Sequence, residues 1–216
     1  MSWLGWQLAD SAFPTGAFAH SAGLEAAWQA GEIPDLDQFI ASALHQIATS
    51  LLPMIAAVAA DRSLVQEADA LCEGITSNHV ANRASRGIGA ALLATAAKSM
   101  GCEELTLLRR ELRLQRSPCH QAPIFGAVVG ALGMDHSEAQ HLYLFAAARD
   151  LCSSAIRLGA IGPTRAQVSL RRAESAAGAA LALAAARDWR QPATSFPMQD
   201  LLQGLHDHLY SRLFHS

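Results

Sequence analysis

The chain has 216 residues, of which 51% are hydrophobic and 16% charged, and its formal net charge at pH 7 is −3. Lys98 is its one lysine, so there is no polybasic tract of the kind that attracts nucleic acid or an anionic membrane. The excess of alanine favours closely packed helices over a Val/Ile-rich sheet. The partners that we expect are therefore proteins.

The cysteines and the apolar runs bear on where the chain works. The cysteines are widely separated and form no C-x-x-C pair, and no signal-peptide pattern precedes Trp3, so we predict a cytoplasmic, reduced protein. The longest apolar runs, residues 51–60 and 176–186, have roughly half of the ~20 residues that span a bilayer. We predict no transmembrane helix. The cysteines are Cys72, Cys102, Cys119 and Cys152.

Near the N-terminus, residues 11–25 read SAFPTGAFAHSAGLE. Pro14 fixes its own φ angle and Gly16 allows a backbone geometry closed to other residues, so the two predict a turn. Phe13 and Phe18 flank that turn. Each phenylalanine either fills a core position or presents an apolar knob to a partner.

Helical periodicity then covers most of the chain. Asp35 is a candidate N-cap for a helix over residues 35–60, in which Pro53 either kinks one helix or starts the next. Ser63 is predicted to cap the following helix and Asn78 the one after that. Two helices follow at residues 103–113 and 123–132, then others at 137–158 and from Pro163 to about residue 189.

Small residues at four-residue spacing predict close contacts between helices. Ala81, Ser85 and Gly89 share one face, and Gly126 and Gly130 make a second such face. Glycine inside a helix costs up to ~1 kcal/mol relative to alanine. Close packing at these faces would offset that cost.

The expected fold is all-α: a single-domain bundle of roughly eight to ten helices with Ala/Gly-rich close packing. Residues 1–190 form the helical domain in this prediction. Residues 191–216 add a linker and a C-terminal docking helix of the same domain.

The C-terminal segment is unusually apolar for a chain end, since it carries Leu209, Tyr210, Leu213 and Phe214 where ordering usually gains little burial. A helix there would be apolar around much of its circumference. Two interpretations stay open: docking back onto the same domain, or binding in a groove of another protein. Gly204 would leave this helix marginal without a partner.

Motifs of enzyme chemistry are missing from the sequence, which has no phosphate-binding G-x-x-x-x-G-K-[ST] loop, no H-E-x-x-H and no G-x-S-x-G. We therefore predict a protein that is not an enzyme and binds no cofactor itself. Adjacent residues of a regular element point apart, so we expect no dedicated metal site. The candidate groups are Cys119-His120, Asp135-His136, and His206 with His208 and His215.

Five blocks in order resemble the UreF-type urease accessory proteins. They are SAFPTGAFAHSAGLE (11–25), RASRG (83–87), HQAPIFG (120–126), SAIRLG (154–159) and HDHLYSRLFHS (206–216). The blocks cover the chain nearly end to end, and LYSRLF is the most specific of them. The chain departs from the family pattern at Asp207-His208, where a Glu-containing pair is usual, and in its short N-terminal region.

The resemblance implies an all-helical homodimer without catalysis of its own. Such a protein bridges a scaffold accessory protein, UreD or UreH, and the nickel-carrying GTPase UreG while nickel is delivered to apo-urease. Nickel and GTP are then handled by the complex. By the matching motifs, the residues implied in partner binding are Phe13, Pro14, Gly16, His20, Glu25, Arg83, Arg86, His120, Arg157, Leu209, Tyr210, Arg212 and Phe214.

Spacing alone gives Arg83 and Arg86 a simpler interpretation, since two arginines on one helix side often form a solvated pair or clamp a carboxylate of their own chain. The resemblance shifts the balance toward a functional role. Two other functions stay open. One is a small helical enzyme or a helical metal-binding chaperone that uses its Cys and His residues directly, and the other is a homodimeric adaptor unrelated to urease.

Overall fold

Helices account for every regular element in the part of the chain that the structure, a computed structural model, describes: residues 2–32 and 35–215. Ten α-helices and three short 3-10 segments occur there, without any strand, which confirms the all-α prediction. Ser216, the last residue of the fifth motif block, lies outside the described residues. The α-helices are α1 Trp3–Ala9, α2 Leu24–Gln29, α3 Leu36–Ala60, α4 Val65–Ile75, α5 His79–Ser99, α6 Glu103–Leu114, α7 Gln121–Ala131, α8 His136–Arg157, α9 Pro163–Ala185 and α10 Pro197–Gly204.

Helix α3 runs through the core, and α7, α8 and α9 all pack against it. The Asp35 carboxylate caps its start by accepting the Asp37 N–H at 2.9 Å. Pro53 lies inside α3, so residues 36–60 form one helix rather than two. Because proline has no N–H, it leaves the carbonyl of Thr49 without its helical donor. That carbonyl accepts the backbone N–H of Ala193 at 3.0 Å instead.

The segment predicted as a linker is thereby fixed to α3. The Thr49 hydroxyl donates to the Ala193 carbonyl at 2.9 Å, and the amide oxygen of Gln46 accepts the N–H of Phe196 at 2.8 Å. The Phe196 ring packs edge-on against Phe39, with centroids 5.5 Å apart. Polar side chains of a core helix thus hold the irregular stretch before α10 in place.

Helix α7 is the most enclosed, with eight of its 11 residues buried. Its glycines meet the end of α3 closely: a Cβ on Gly126 would lie 2.8 Å from the Ile55 carbonyl oxygen, and one on Gly130 would lie 2.6 Å from that of Ala59. Both distances are shorter than a side chain tolerates. The close approach predicted from the small-residue spacing is confirmed here.

The start of α4 differs from the prediction. Asp61 caps a 3-10 turn that precedes α4, since its carboxylate accepts the N–H of Ser63 at 3.0 Å and the Ser63 hydroxyl at 2.6 Å, and no side chain of the described residues caps α4 itself. Ser63 therefore lies inside a 3-10 turn, Arg62–Leu64, and does not cap the helix. Asn78 caps α5 as predicted, accepting the N–H of Val80 at 2.9 Å.

By length and composition, one helix within the described residues is long and apolar enough to cross a membrane, namely Leu36–Ala60. It is the core helix, and 61% of its most apolar window is buried inside the protein. A core helix of this length passes the same test as a membrane span. Packing against three other helices accounts for its apolar character.

The predicted C-terminal helix is wrong beyond residue 208. Helix α10 ends at Gly204, a 3-10 turn covers His206–His208, and the following residues are irregular. Glycine weakens the helix at its end, and the backbone N–H groups of Leu213 and Phe214 find an acceptor in a distant part of the chain. Docking back onto the domain is the arrangement observed.

Candidate functional site

The N-terminal turn has the geometry that its residues predict. Gly16 has φ +76°, in the left-handed region that favours glycine, and a 3-10 turn, Ala17–Ala19, follows it. Phe13 packs against the core, whereas Phe18 is 67% exposed. One phenylalanine is therefore partly buried against the core, and the other projects from the surface.

A buried carboxylate, Glu25 on α2, holds the C-terminal segment. Its side chain is 1% exposed and accepts the N–H of Leu213 at 2.6 Å and that of Phe214 at 3.2 Å. It also accepts from Nε2 of His206 at 3.0 Å. A buried carboxylate is tolerated when hydrogen bonds replace its water, so Glu25 is satisfied only while the chain end is docked.

Arg157, at the end of α8, covers the docked segment. Its guanidinium carbon lies 4.1 Å from the centroid of the Phe214 ring, a cation–π contact, and its Nη1 donates to the carbonyl of Phe18. The N–H of His215 donates to the Ala19 carbonyl at 2.8 Å. The N-terminal turn, α8 and the C-terminal segment therefore form one surface.

His20 lies beside His215, with the two rings edge to face and their centroids 6.3 Å apart. Partial burial, and to a smaller extent His215 and Arg83, lowers the pKa of His20 below its usual 6.5. The ring is therefore uncharged at neutral pH.

The carboxylate of Asp207 contacts several basic side chains near the start of α5. Arg83 binds it with both terminal nitrogens, at 3.2 and 2.9 Å, and Nε2 of His79 lies 3.1 Å away. Arg212 Nη1 approaches to 3.4 Å. The hydrogen bond from Arg83 is the main reason why the pKa of Asp207 is lowered from its usual 3.8. Asp207, which departs from the family pattern, thus joins the C-terminal segment (the tail) to α5.

His120 lies buried under the same helix and uses both ring nitrogens. Nε2 donates to the Glu73 carboxylate at 2.7 Å and Nδ1 lies 3.0 Å from the Ser85 hydroxyl. The buried carboxylate of Asp69 accepts the His120 N–H at 2.7 Å. A Cβ on Gly89 would lie 2.0 Å from the Cys119 carbonyl oxygen. Because Gly89 has no side chain, the backbone of the residues just before α7 can lie close to α5. The closest contact of Gly89 is therefore with backbone that lies outside a helix.

A family model described as UreF matches residues 32–174 of this chain. The chain belongs to the UreF family. "Urease accessory protein F" of Arabidopsis thaliana is 37% identical over 99% of the chain and 92% of its own length. The corresponding figures for "Urease accessory protein F" of Oryza sativa subsp. indica are 36%, 98% and 84%. For "Urease accessory protein UreF" of Paenarthrobacter aurescens they are 32%, 97% and 96%.

The structure brings the UreF-type blocks together in two places. Block 11–25 contacts blocks 154–159 and 206–216 through Glu25 and Arg157. Block 83–87 contacts block 206–216 through Arg83, and block 120–126 through Ser85. Motifs that are far apart in sequence therefore form one continuous network, and no single stretch contains it.

Burial divides the residues that the resemblance implies in partner binding. Glu25, His120 and Phe214 are 1%, 0% and 3% exposed, so in this conformation they position other groups and do not present their own side chains. The remaining ten are exposed or partly exposed, and their contact with partners stays a prediction. They are Phe13, Pro14, Gly16, His20, Arg83, Arg86, Arg157, Leu209, Tyr210 and Arg212.

Sequence reasoning missed the acidic partners in this UreF network: Asp69, Glu73 and Asp207. Asp69 and Glu73 are four residues apart on α4 and therefore share a helix face. That spacing was the one sign in the sequence, but the sequence around α4 does not show which hydrogen-bond donors such a face meets.

No group of three or more His, Cys, Asp or Glu side chains able to hold a metal ion occurs among the described residues. Cys119 and His120 are poorly suited to act as a direct metal pair, because both ring nitrogens of His120 are engaged. Burial is the main cause that raises the pKa of the Cys119 thiol, which disfavours the thiolate that binds metals.

Proposed function

We propose that this UreF-family chain is a non-catalytic accessory protein in urease maturation. In this proposal it bridges the scaffold accessory protein UreD/UreH and the nickel-carrying GTPase UreG, acts in the cytoplasm as a homodimer, and binds neither nickel nor GTP itself. Family membership over nearly the whole chain carries the proposal. The adaptor function unrelated to urease loses its support for the same reason.

The surface built from both chain ends supports a docking role. Tyr210 is fully exposed, and Phe18 and Leu213 are 67% and 51% exposed. The backbone of Phe18 and Leu213 is held internally: the Phe18 carbonyl accepts from Arg157 and the Leu213 N–H donates to Glu25. Aromatic and aliphatic side chains on a fixed backbone lose little entropy when they bind. We assign this surface, made of residues 13–20 and 209–214, to the scaffold protein.

The first experiment is light scattering on a sizing column. The chain is run alone, then with a UreD/UreH-type scaffold, and then with scaffold and UreG together. We expect a dimer alone and discrete larger complexes in the mixtures. Folded components that fail to associate would remove the bridging function.

Deletion of residues 209–216 tests the assignment of the surface. It removes Tyr210 and Leu213 together with the buried Phe214, so binding should be lost, and the thermal melt reports how much of the loss comes from destabilisation. Undiminished scaffold binding by the shortened chain would show that the scaffold docks elsewhere.

A nickel titration of the purified chain separates the proposal from the metal-binding alternative. We expect no stoichiometric nickel. Tight binding that disappears in Cys119→Ser or His120→Ala would establish a chaperone that carries the metal itself.

A further inference from the structure

An open cleft of about 410 Å³ lies at the N-terminal end of α5, next to the docked tail. It is lined by hydrogen-bond donors and by two guanidinium groups, and the described residues contribute no carboxylate to its lining. The residues are Thr76, Ser77, His79, Asn82, Arg83 and Arg86.

A carboxylate of the same chain shows which chemistry suits these donors. Asp207 meets both terminal nitrogens of Arg83 at 3.2 and 2.9 Å, and His79 at 3.1 Å. This is the bidentate arrangement that matches a planar guanidinium to a carboxylate. The tail therefore already places one carboxylate against the donors at the edge of the cleft.

Arg86 is the cation of the cleft with the weakest internal contact. Its Nη1 lies 3.7 Å from Oε1 of Glu73, and its side chain is 49% exposed. The other oxygen of Glu73 accepts from His120 at 2.7 Å and from Asn82 at 3.2 Å, so the stronger bonds of that carboxylate go elsewhere.

Charge is also unbalanced around the cleft. Within the described residues, the ion pairs of Arg83, Arg86 and Arg212 involve two carboxylates, Glu73 and Asp207, so three guanidinium charges there are paired with two carboxylate charges before His79 is considered. The N-terminus of α5, a helix of 21 residues, adds positive potential at the same place. An incoming anion would meet a net attraction.

We propose that this cleft binds a carboxylate-bearing segment of a protein partner, with Arg86 as the main contact and Arg83 and His79 beside it. The inference rests on the proposed function, because the cleft adjoins the scaffold surface: Asp207 at its edge is three residues from the exposed Tyr210. A partner segment that binds against the C-terminal segment of this chain also reaches the cleft, where its acidic side chain pairs with Arg86.

The test uses the full chain and a fluorescein-labelled hexaglutamate peptide, measured by anisotropy. We expect saturable binding that Arg86→Gln weakens roughly threefold to fivefold, as suits a partly exposed charge pair, and that Arg86→Lys partly restores. The matched control is Arg171→Gln on α9, an 80% exposed arginine paired with Glu174, which should bind like the wild type. Binding should also weaken as salt is raised to roughly 0.15 M.

Three results of the peptide experiment would overturn the inference: no saturable binding, equal weakening by Arg171→Gln, or full displacement of the peptide by equimolar inorganic phosphate. The last would identify a small-anion site with no need for a protein segment. The proposed function is tested separately by scaffold association. If Arg86→Gln associates with the scaffold as tightly as the wild type, only the acidic-segment inference fails.

Discussion

Glu25 and His206 are 181 residues apart in sequence, yet Nε2 of His206 donates to Oε2 of Glu25 at 3.0 Å. Both side chains are buried, at 1% and 0% exposure. The same carboxylate accepts two backbone N–H groups of the C-terminal segment. The position of that segment therefore depends on one acidic residue near the N-terminus.

Replacing Glu25 with alanine is expected to detach the C-terminal segment. The change leaves His206 and two backbone N–H groups without their acceptor, and losing one partner of a buried pair costs about 3–5 kcal/mol. Local opening limits that cost, because the tail can expose these groups to water while the helices stay folded. Limited digestion with trypsin after Arg212 measures the effect, and cleavage should be much faster in Glu25→Ala.

Glu32→Ala is the matched control, since Glu32 follows the same helix and is exposed. It should be cleaved at the wild-type rate. Equal protection of Arg212 in Glu25→Ala and the wild type would mean that the carboxylate does not hold the tail.

Two glycines of α5 should respond oppositely to alanine. A Cβ at Gly89 would lie 2.0 Å from the Cys119 carbonyl oxygen, whereas one at Gly87 meets nothing within 4 Å. Gly89→Ala should lower the free energy of unfolding by about 1–3 kcal/mol or more. Gly87→Ala should raise it by up to ~1 kcal/mol, because alanine is the better helix former. Urea denaturation of both variants checks the pair, and similar changes in both would refute the close contact.

Because of Asp207, the docking of the C-terminal segment is expected to weaken at low pH. The pKa of Asp207 is lowered from 3.8 in the folded protein, chiefly by the hydrogen bond from Arg83. A carboxyl with a depressed pKa stabilises the fold above its unfolded pKa, and that contribution disappears as pH falls through the folded pKa. The protection of the tail amides in the wild type should therefore exceed that in Asp207→Asn near neutral pH and converge with it below 3.8.

Hydrogen exchange at residues 209–215, measured at several pH values and corrected for the intrinsic rate, provides this comparison. A constant difference between the two proteins across the whole range would show that the charge of Asp207 does not hold the tail.

Tyr210 and Arg212 should affect binding more than folding. Tyr210 is fully exposed, and Arg212 is about half exposed with a 3.4 Å contact to Asp207. Alanine at either position should weaken scaffold binding roughly tenfold, about 1.4 kcal/mol, with little change in Tm. Leu114→Ala, at a 77% exposed leucine on α6, is the control and should leave the affinity unchanged. A steep fall in Tm for Arg212→Ala would make that residue structural.

Local features of the sequence predicted much of the fold. Helix starts at Asp35 and Asn78, the turn at Gly16 and the close approach at Gly126 and Gly130 all follow from residue chemistry within a few positions. Each was predictable because its cause lies next to it in the chain. Ser63 was assigned wrongly as a cap because Asp61, two residues earlier, caps a 3-10 turn that contains Ser63.

The C-terminal segment could not be predicted in this way. Its apolar pattern suited a helix, but Glu25 binds its backbone in an irregular conformation. Local sequence also could not decide whether Pro53 lies inside one helix or starts a second. The Thr49 carbonyl, which loses its helical donor at Pro53, accepts instead from Ala193, far along the chain.

By itself, the sequence determined the helical class, most helix boundaries and, through its motif blocks, the family. Only the tertiary structure decided which motif residues are buried supports and which face outward, because Glu25, His120 and Phe214 are enclosed by groups from distant segments. Helix periodicity is a property of neighbouring residues. Satisfaction of a buried carboxylate depends on whatever the fold brings to it.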